Sequence, residues 1–128
     1  DMVINVGALR SGSYDVVDRE IRAVAAVCHG AGALVKTILE TALLDENQKI
    51  VASAIARLAG ADYVKTSTGF ASAGATVEDV ALLRRVVGPD AGVKAAGGIR
   101  TIQDLRRMVA AGADRIGASA SVRIVEAA

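Results

Sequence analysis

An Ala-Gly dipeptide recurs at Ala31-Gly32, Ala59-Gly60, Ala91-Gly92 and Ala111-Gly112, each time just ahead of a short apolar run. The spacings are 28, 32 and 20 residues, close to the roughly 30 residues of one strand–helix–strand unit. Gly after a helical stretch is the usual left-handed cap, so each pair marks a helix end followed by a strand. This punctuation predicts strands at 2–6, 33–39, 63–66, 92–96 and 115–118. Helices are predicted at 15–29, 46–59, 77–87 and 102–110, with a short one near 120–127. Asp45, Thr76 and Thr101 are the predicted N-caps, followed three residues on by Gln48, Asp79 and Asp104. Asp45 with Gln48 has the form of a capping box, and the two Thr–Asp pairs are weaker variants. The expected core stripes are Val17, Ile21, Val24 and Cys28 in the first helix, and Val51, Ala54, Ile55 and Leu58 in the second.

Strict alternation of strand and helix implies a parallel sheet with right-handed crossovers. Periodicity leaves a closed barrel and an open doubly wound sheet both standing. No G-x-G-x-x-G occupies the first strand–helix turn, which counts against a dinucleotide-binding sheet. Apolar residues make up 52% of the chain but aromatics only 2%. The core must therefore be Val, Ile, Leu and Ala, a composition suited to strands covered on both sides. A complete eight-stranded barrel takes roughly 250 residues. On a barrel reading, 1–128 is a single partial domain, and the start on Asp1 rather than Met agrees with a missing front.

Other functional classes find little support. Net charge is +1 with no long basic run, and three aromatic residues cannot stack bases, so no nucleic-acid partner is expected. Lys36 and Lys65 interrupt the best apolar runs, so no membrane partner is expected either. The single Cys28 excludes an internal disulfide and suits a reducing cytoplasm. Cys28 and His29, adjacent and alone, fall short of the ligand count zinc needs, so no metal is expected.

The chemistry concentrates on lysines. Lys36, Lys65 and Lys94 fall one to each of three successive strands, every one in an apolar setting. A buried ammonium is costly, and two close together favour loss of a proton from one. A neutral Lys attacks a carbonyl and forms an imine. Lys36 and Glu40 are expected on one face of their strand, lining the interior. Three loops follow the later strands: Lys65-Thr66-Ser67-Thr68-Gly69, Ala96-Gly97-Gly98-Ile99-Arg100-Thr101 and Gly117-Ala118-Ser119. Their glycines expose backbone N–H groups, a helix N-terminus adds positive potential, and Arg100 could clamp an anion bidentately.

These segments resemble the deoxyribose-phosphate aldolases. Lys65-Thr66-Ser67-Thr68-Gly69-Phe70 is similar to that family's Schiff-base motif, and Val93-Lys94-Ala95-Ala96-Gly97-Gly98-Ile99-Arg100 to the segment with its second active-site Lys. Asp1-Met2-Val3-Ile4-Asn5 resembles the fourth strand, which opens on a catalytic Asp; Gly74 to Val80 and Arg115 to Ser119 also match. The resemblance implies a (β/α)8 TIM barrel, of which this chain covers strands four to eight. It implies cleavage of 2-deoxy-D-ribose 5-phosphate to D-glyceraldehyde 3-phosphate and acetaldehyde, in deoxyribonucleotide catabolism, with no organic cofactor. Lys65 would form the imine, Lys94 would lower its pKa, and Asp1 would move protons. Gly69, Gly97, Gly98, Arg100, Gly117 and Ser119 would hold the phosphate. Ala120 stands where relatives often have a second Ser. A phosphoribosyl-type barrel isomerase shares the Gly-Gly-Ile loop but needs carboxylates rather than paired lysines. A non-catalytic fragment that only binds or assembles is the third reading, and open sheet edges separately lead to the expectation of a homo-oligomer.

Overall fold

A computed structural model describes all 128 residues. The strands are β1 (Met2–Val3), β2 (Lys36–Ile38), β3 (Tyr63–Lys65), β4 (Gly92–Ala96) and β5 (Arg115–Gly117). The helices are α1 (Val6–Arg10), α2 (Tyr14–Gly30), α3 (Glu46–Leu58), α4 (Val77–Val87), α5 (Ile102–Ala111) and α6 (Ser121–Glu126), with a 3-10 turn at Thr41–Leu43. Both capping boxes form, Asp45 with Gln48 and Thr101 with Asp104. At α4 the Thr76 side chain caps Asp79 N–H, but the Asp79 carboxylate instead takes Lys49, at 2.7 Å.

All five strands are parallel, and their spatial order is their chain order. That order separates the two architectures left open above. A doubly wound sheet reverses its strand order and places helices on both faces. Here the order never reverses, so right-handed crossovers lay every helix on one side, and the sheet is a sector of a (β/α)8 barrel. The helix-covered face is sealed by Val35, Thr37, Val64, Val93 and Ala95, all at most 2% exposed. They pack with Val17, Ile21, Val80, Leu83 and Val87 into one core. The opposite face carries Lys36, Lys65 and Lys94.

Two clamps with the same backbone contact close the end of the sheet where the strands begin. Asp62, just before β3, accepts the Val35 N–H at 2.8 Å and contacts the His29 ring at 2.8 Å. Asp114, just before β5, accepts the Val93 N–H at 2.9 Å and pairs with Arg84. Each Asp follows an Ala-Gly-Ala step, at 59–61 and 111–113.

Several expectations need correction. β1 stops at Val3, because Asn5 turns to cap α1 by accepting the Ala8 N–H. In α2 the buried stripe is Val17, Ile21 and Ala25, with Val24 38% exposed. In α3 the buried residues are Ala52, Ser53 and Ala56, whereas Leu58 is 72% exposed. Small residues let these helices approach the sheet closely, which a search for bulky apolar spacing overlooks. β2 ends at Ile38, and Glu40 adopts a left-handed backbone, φ 55°. Glu40 therefore does not continue the Lys36 face of the strand.

Candidate active site

The register levels the chemistry across the open face. Ile38 pairs with Lys65, Lys65 with Lys94, and Lys94 with Arg115. Lys36 lies one step lower, opposite Tyr63. The Asp1 carboxylate bridges two of the lysines, taking Lys36 Nζ at 2.8 Å on Oδ1 and Lys65 Nζ at 3.0 Å on Oδ2. Both lysine side chains are less than a fifth exposed, so this pairing is partly shielded from water. Lys94 has no such partner. Burial pushes its amine below the ordinary lysine range, and the charges of Lys65, Lys36 and Arg115 push it further the same way. Its side chain runs past Gly117, where a Cβ would stand only 3.0 Å from Lys94 Cε.

At the strand C-termini a cleft of about 390 Å³ opens between the loops after β3, β4 and β5. Lys65, Thr68, Gly69, Gly97, Gly98, Arg100, Gly117 and Ser119 line it, so every residue expected to hold phosphate meets there with the imine candidate. The loop after β3 divides its work. Thr66 and Ser67 are fully buried, and the Thr66 hydroxyl donates to Ala96 O and accepts from Ala96 N–H, both at 3.1 Å. Thr68 and Gly69 turn to the cleft, and Phe70 is 96% exposed. Farther on, Gly74 passes so close to Gly97 that a Cβ would fall 2.3 Å from its carbonyl. Glu40, 6% exposed, reaches the same loop and accepts from both the backbone N–H and the hydroxyl of Thr68.

Two amides just ahead of α5 are already occupied. Asp104 accepts the N–H groups of Arg100 and Thr101, each at 3.1 Å. The Arg100 N–H first, then the Arg107 and Thr101 side chains, hold the Asp104 carboxyl down at about 2. No three His, Cys, Asp or Glu side chains converge as a metal site, and no helix is long and apolar enough to cross a membrane. Arg115 was not among the site residues expected from sequence, although it faces Lys94. A basic residue at a strand start is an ordinary edge feature, and only the register places it.

Two lysines in register thus stand beside a glycine-walled cleft at the C-terminal rim of a barrel sheet, where barrels of this type carry their active sites. The chain belongs to the DeoC/LacD family of aldolases, whose family model matches residues 1–122. It is 61% identical over 128 residues to a deoxyribose-phosphate aldolase of Thermococcus gammatolerans, covering 100% of this chain and 57% of that protein. It is 59% identical over 126 residues to one from Streptococcus sanguinis, covering 98% and 56%. The structure of a deoxyribose phosphate aldolase from Aeropyrum pernix, described as tetrameric, superposes with TM-score 0.83 at 40% identity, covering 88% of this chain and 49% of that one. The chain thus spans just over half the length of the curated relatives it matches, and it corresponds to their C-terminal part.

Proposed function

We propose that the complete protein bearing this chain is a class I aldolase that reversibly cleaves 2-deoxy-D-ribose 5-phosphate to D-glyceraldehyde 3-phosphate and acetaldehyde. The observation that carries this reading is the Lys65–Lys94 register pair, whose Lys65 lines the glycine-walled cleft. Two adjacent amines titrate as a unit, and shedding one proton from that unit is easier than from an isolated lysine. Lys65 Nζ rests on the Asp1 carboxylate at 3.0 Å, and Lys94 is the amine that burial and neighbouring cations push below the ordinary lysine range. Transfer of a proton from Lys65 to neutral Lys94 leaves Lys65 free to attack the sugar carbonyl, expelling water as the imine forms. Asp1, already touching Lys65, takes the role of moving protons at the reacting carbon, and Lys36 holds that carboxylate in place. Arg100, Gly97, Gly98, Gly69, Gly117 and Ser119 receive the phosphate. The isomerase alternative needs no imine and leaves the Lys65–Lys94 register pair without a use.

Borohydride in the presence of acetaldehyde tests the assignment in the complete protein. Reduction of the imine should add about 28 Da to Lys65 alone. Label on Lys94 with Lys65 untouched would exchange the two roles, and no label on either would end the imine reading.

A further inference from the structure

Arg115 is held over the inner face by a device with two parts. Its guanidinium caps the Tyr63 ring, with Cζ 4.5 Å from the ring centroid. To reach it, that ring crosses β4 over Gly92, where a Cβ would fall 2.2 Å from Tyr63 Cε1. The three residues sit on three successive strands, and Gly92 is the register partner of Tyr63. A guanidinium over an aromatic face is attracted by the negative face of the ring. That attraction favours one placement for a long, otherwise unpaired side chain.

The placement matters because of the neighbour. Arg115 is the register partner of Lys94 on the side away from Lys65. Lys94 is therefore flanked by a cation on either strand. The other charged groups on this face are Lys36 from β2 and Asp1 from β1, the latter occupied by Lys36 and Lys65. Glu40, beyond β2, is turned to Thr68, and the Tyr63 phenol is the remaining titratable group. No carboxylate offsets Arg115 at Lys94.

We propose that Arg115, seated on Tyr63 above Gly92, is a positioning residue that keeps a permanent positive charge beside Lys94 and so biases the lysine pair toward the singly protonated state. Unlike a Lys there, Arg cannot itself give up the proton, so the bias persists at every working pH. The inference rests on the imine chemistry proposed above for its consequence, but not for its physical basis.

The test uses the complete protein with 13Cε-labelled lysine, following the Lys94 resonance by NMR as pH is raised. Arg115→Gln should move the Lys94 midpoint up by about a few tenths of a pH unit, because Arg115 is the weakest of the influences that lower it and is itself exposed to solvent. The pH at which acetaldehyde is half-trapped by borohydride should rise with it. Arg115→Lys should restore most of both shifts below about pH 9. Tyr63→Leu, which keeps the charge but removes its seat, should give a smaller shift in the same direction. If Arg115→Gln does not fold, the Tyr63→Leu midpoint decides alone, and an unmoved value overturns the proposal. An unmoved Lys94 midpoint in a folded Arg115→Gln protein also overturns it. A moved midpoint with no trapped imine in the parent protein sustains the electrostatic role while removing the aldolase reading.

Discussion

Lys65 and Lys94 stand opposite one another in register on β3 and β4, and of the two only Lys65 reaches a carboxylate. This asymmetry splits the pair into an anchored amine and an amine held below its ordinary range by burial and neighbouring cations.

Replacing Lys94 by Met should therefore do more than delete a side chain. The pair loses the member that accepts a proton, so imine formation at Lys65 should need a more alkaline medium. Activity of the complete protein near neutrality should fall by about two orders of magnitude or more. A pH–rate profile that matches the parent's would show that Lys94 has no such role.

Arg100 borders the cleft while its own N–H and that of Thr101 are taken by Asp104. Arg100→Ala should raise KM for 2-deoxyribose 5-phosphate far more than for unphosphorylated 2-deoxyribose, since only the former presents a dianion. Equal changes for both sugars would place Arg100 outside the binding site.

The clamp at Asp62 makes a stability prediction with a definite sign. Burial works against the Asp62 charge, but the Val35 N–H and the His29 ring outweigh it, so its folded value lies below that of the free carboxyl. A lowered folded value stabilises the fold above the unfolded value and loses that contribution as the medium becomes more acid. Stability should thus fall below about pH 4–5 as the carboxylate titrates. Asp62→Asn should flatten that acid-range slope in denaturation experiments between pH 3 and 7. An identical slope in both proteins would remove the clamp from the acid response. Its counterpart, Asp114→Ala, should cost about 2 kcal/mol at neutral pH, because the buried Val93 N–H loses its acceptor.

The sheet leaves β1 and β5 each paired on one side only. Unpaired strand edges beside exposed Val3 and an open inner face favour association. Purified residues 1–128 on their own should sediment as oligomers and show little aldolase activity, since substrate positioning needs more of the pocket than this sector supplies. A stable monomer with a kcat near that of the complete protein would contradict both statements.

How far these features are legible in the sequence depends on their range. Caps are local, and Asp45, Thr76 and Thr101 lie where their side-chain spacing puts them. The cleft residues are equally legible, because glycines after strands leave a pattern in the chain. Glu40 is not, since alternation carried past Ile38 assigns it to a face that its positive φ abandons. The short helix α1 hides behind Asn5, whose cap signal lies inside what alternation reads as strand. Arg115 depends on register across three strands, and register is a property of pairing rather than of any one segment. The Ala-Gly steps announce the helix ends, but the aspartates that follow them gain meaning only when Val35 and Val93 come within reach.

Those two aspartate clamps lie at the opposite end of the sheet from the lysines and the glycine loops. The base of the sheet is thus buttressed where no substrate goes. At the rim, buried loop residues such as Thr66 tie strands together while Gly69, Gly98 and Ser119 face the cleft. Such a partition lets the rim diverge under selection: loops can lengthen, shrink or exchange residues, and new substrates can be explored, while the buttressed base keeps the strands in register.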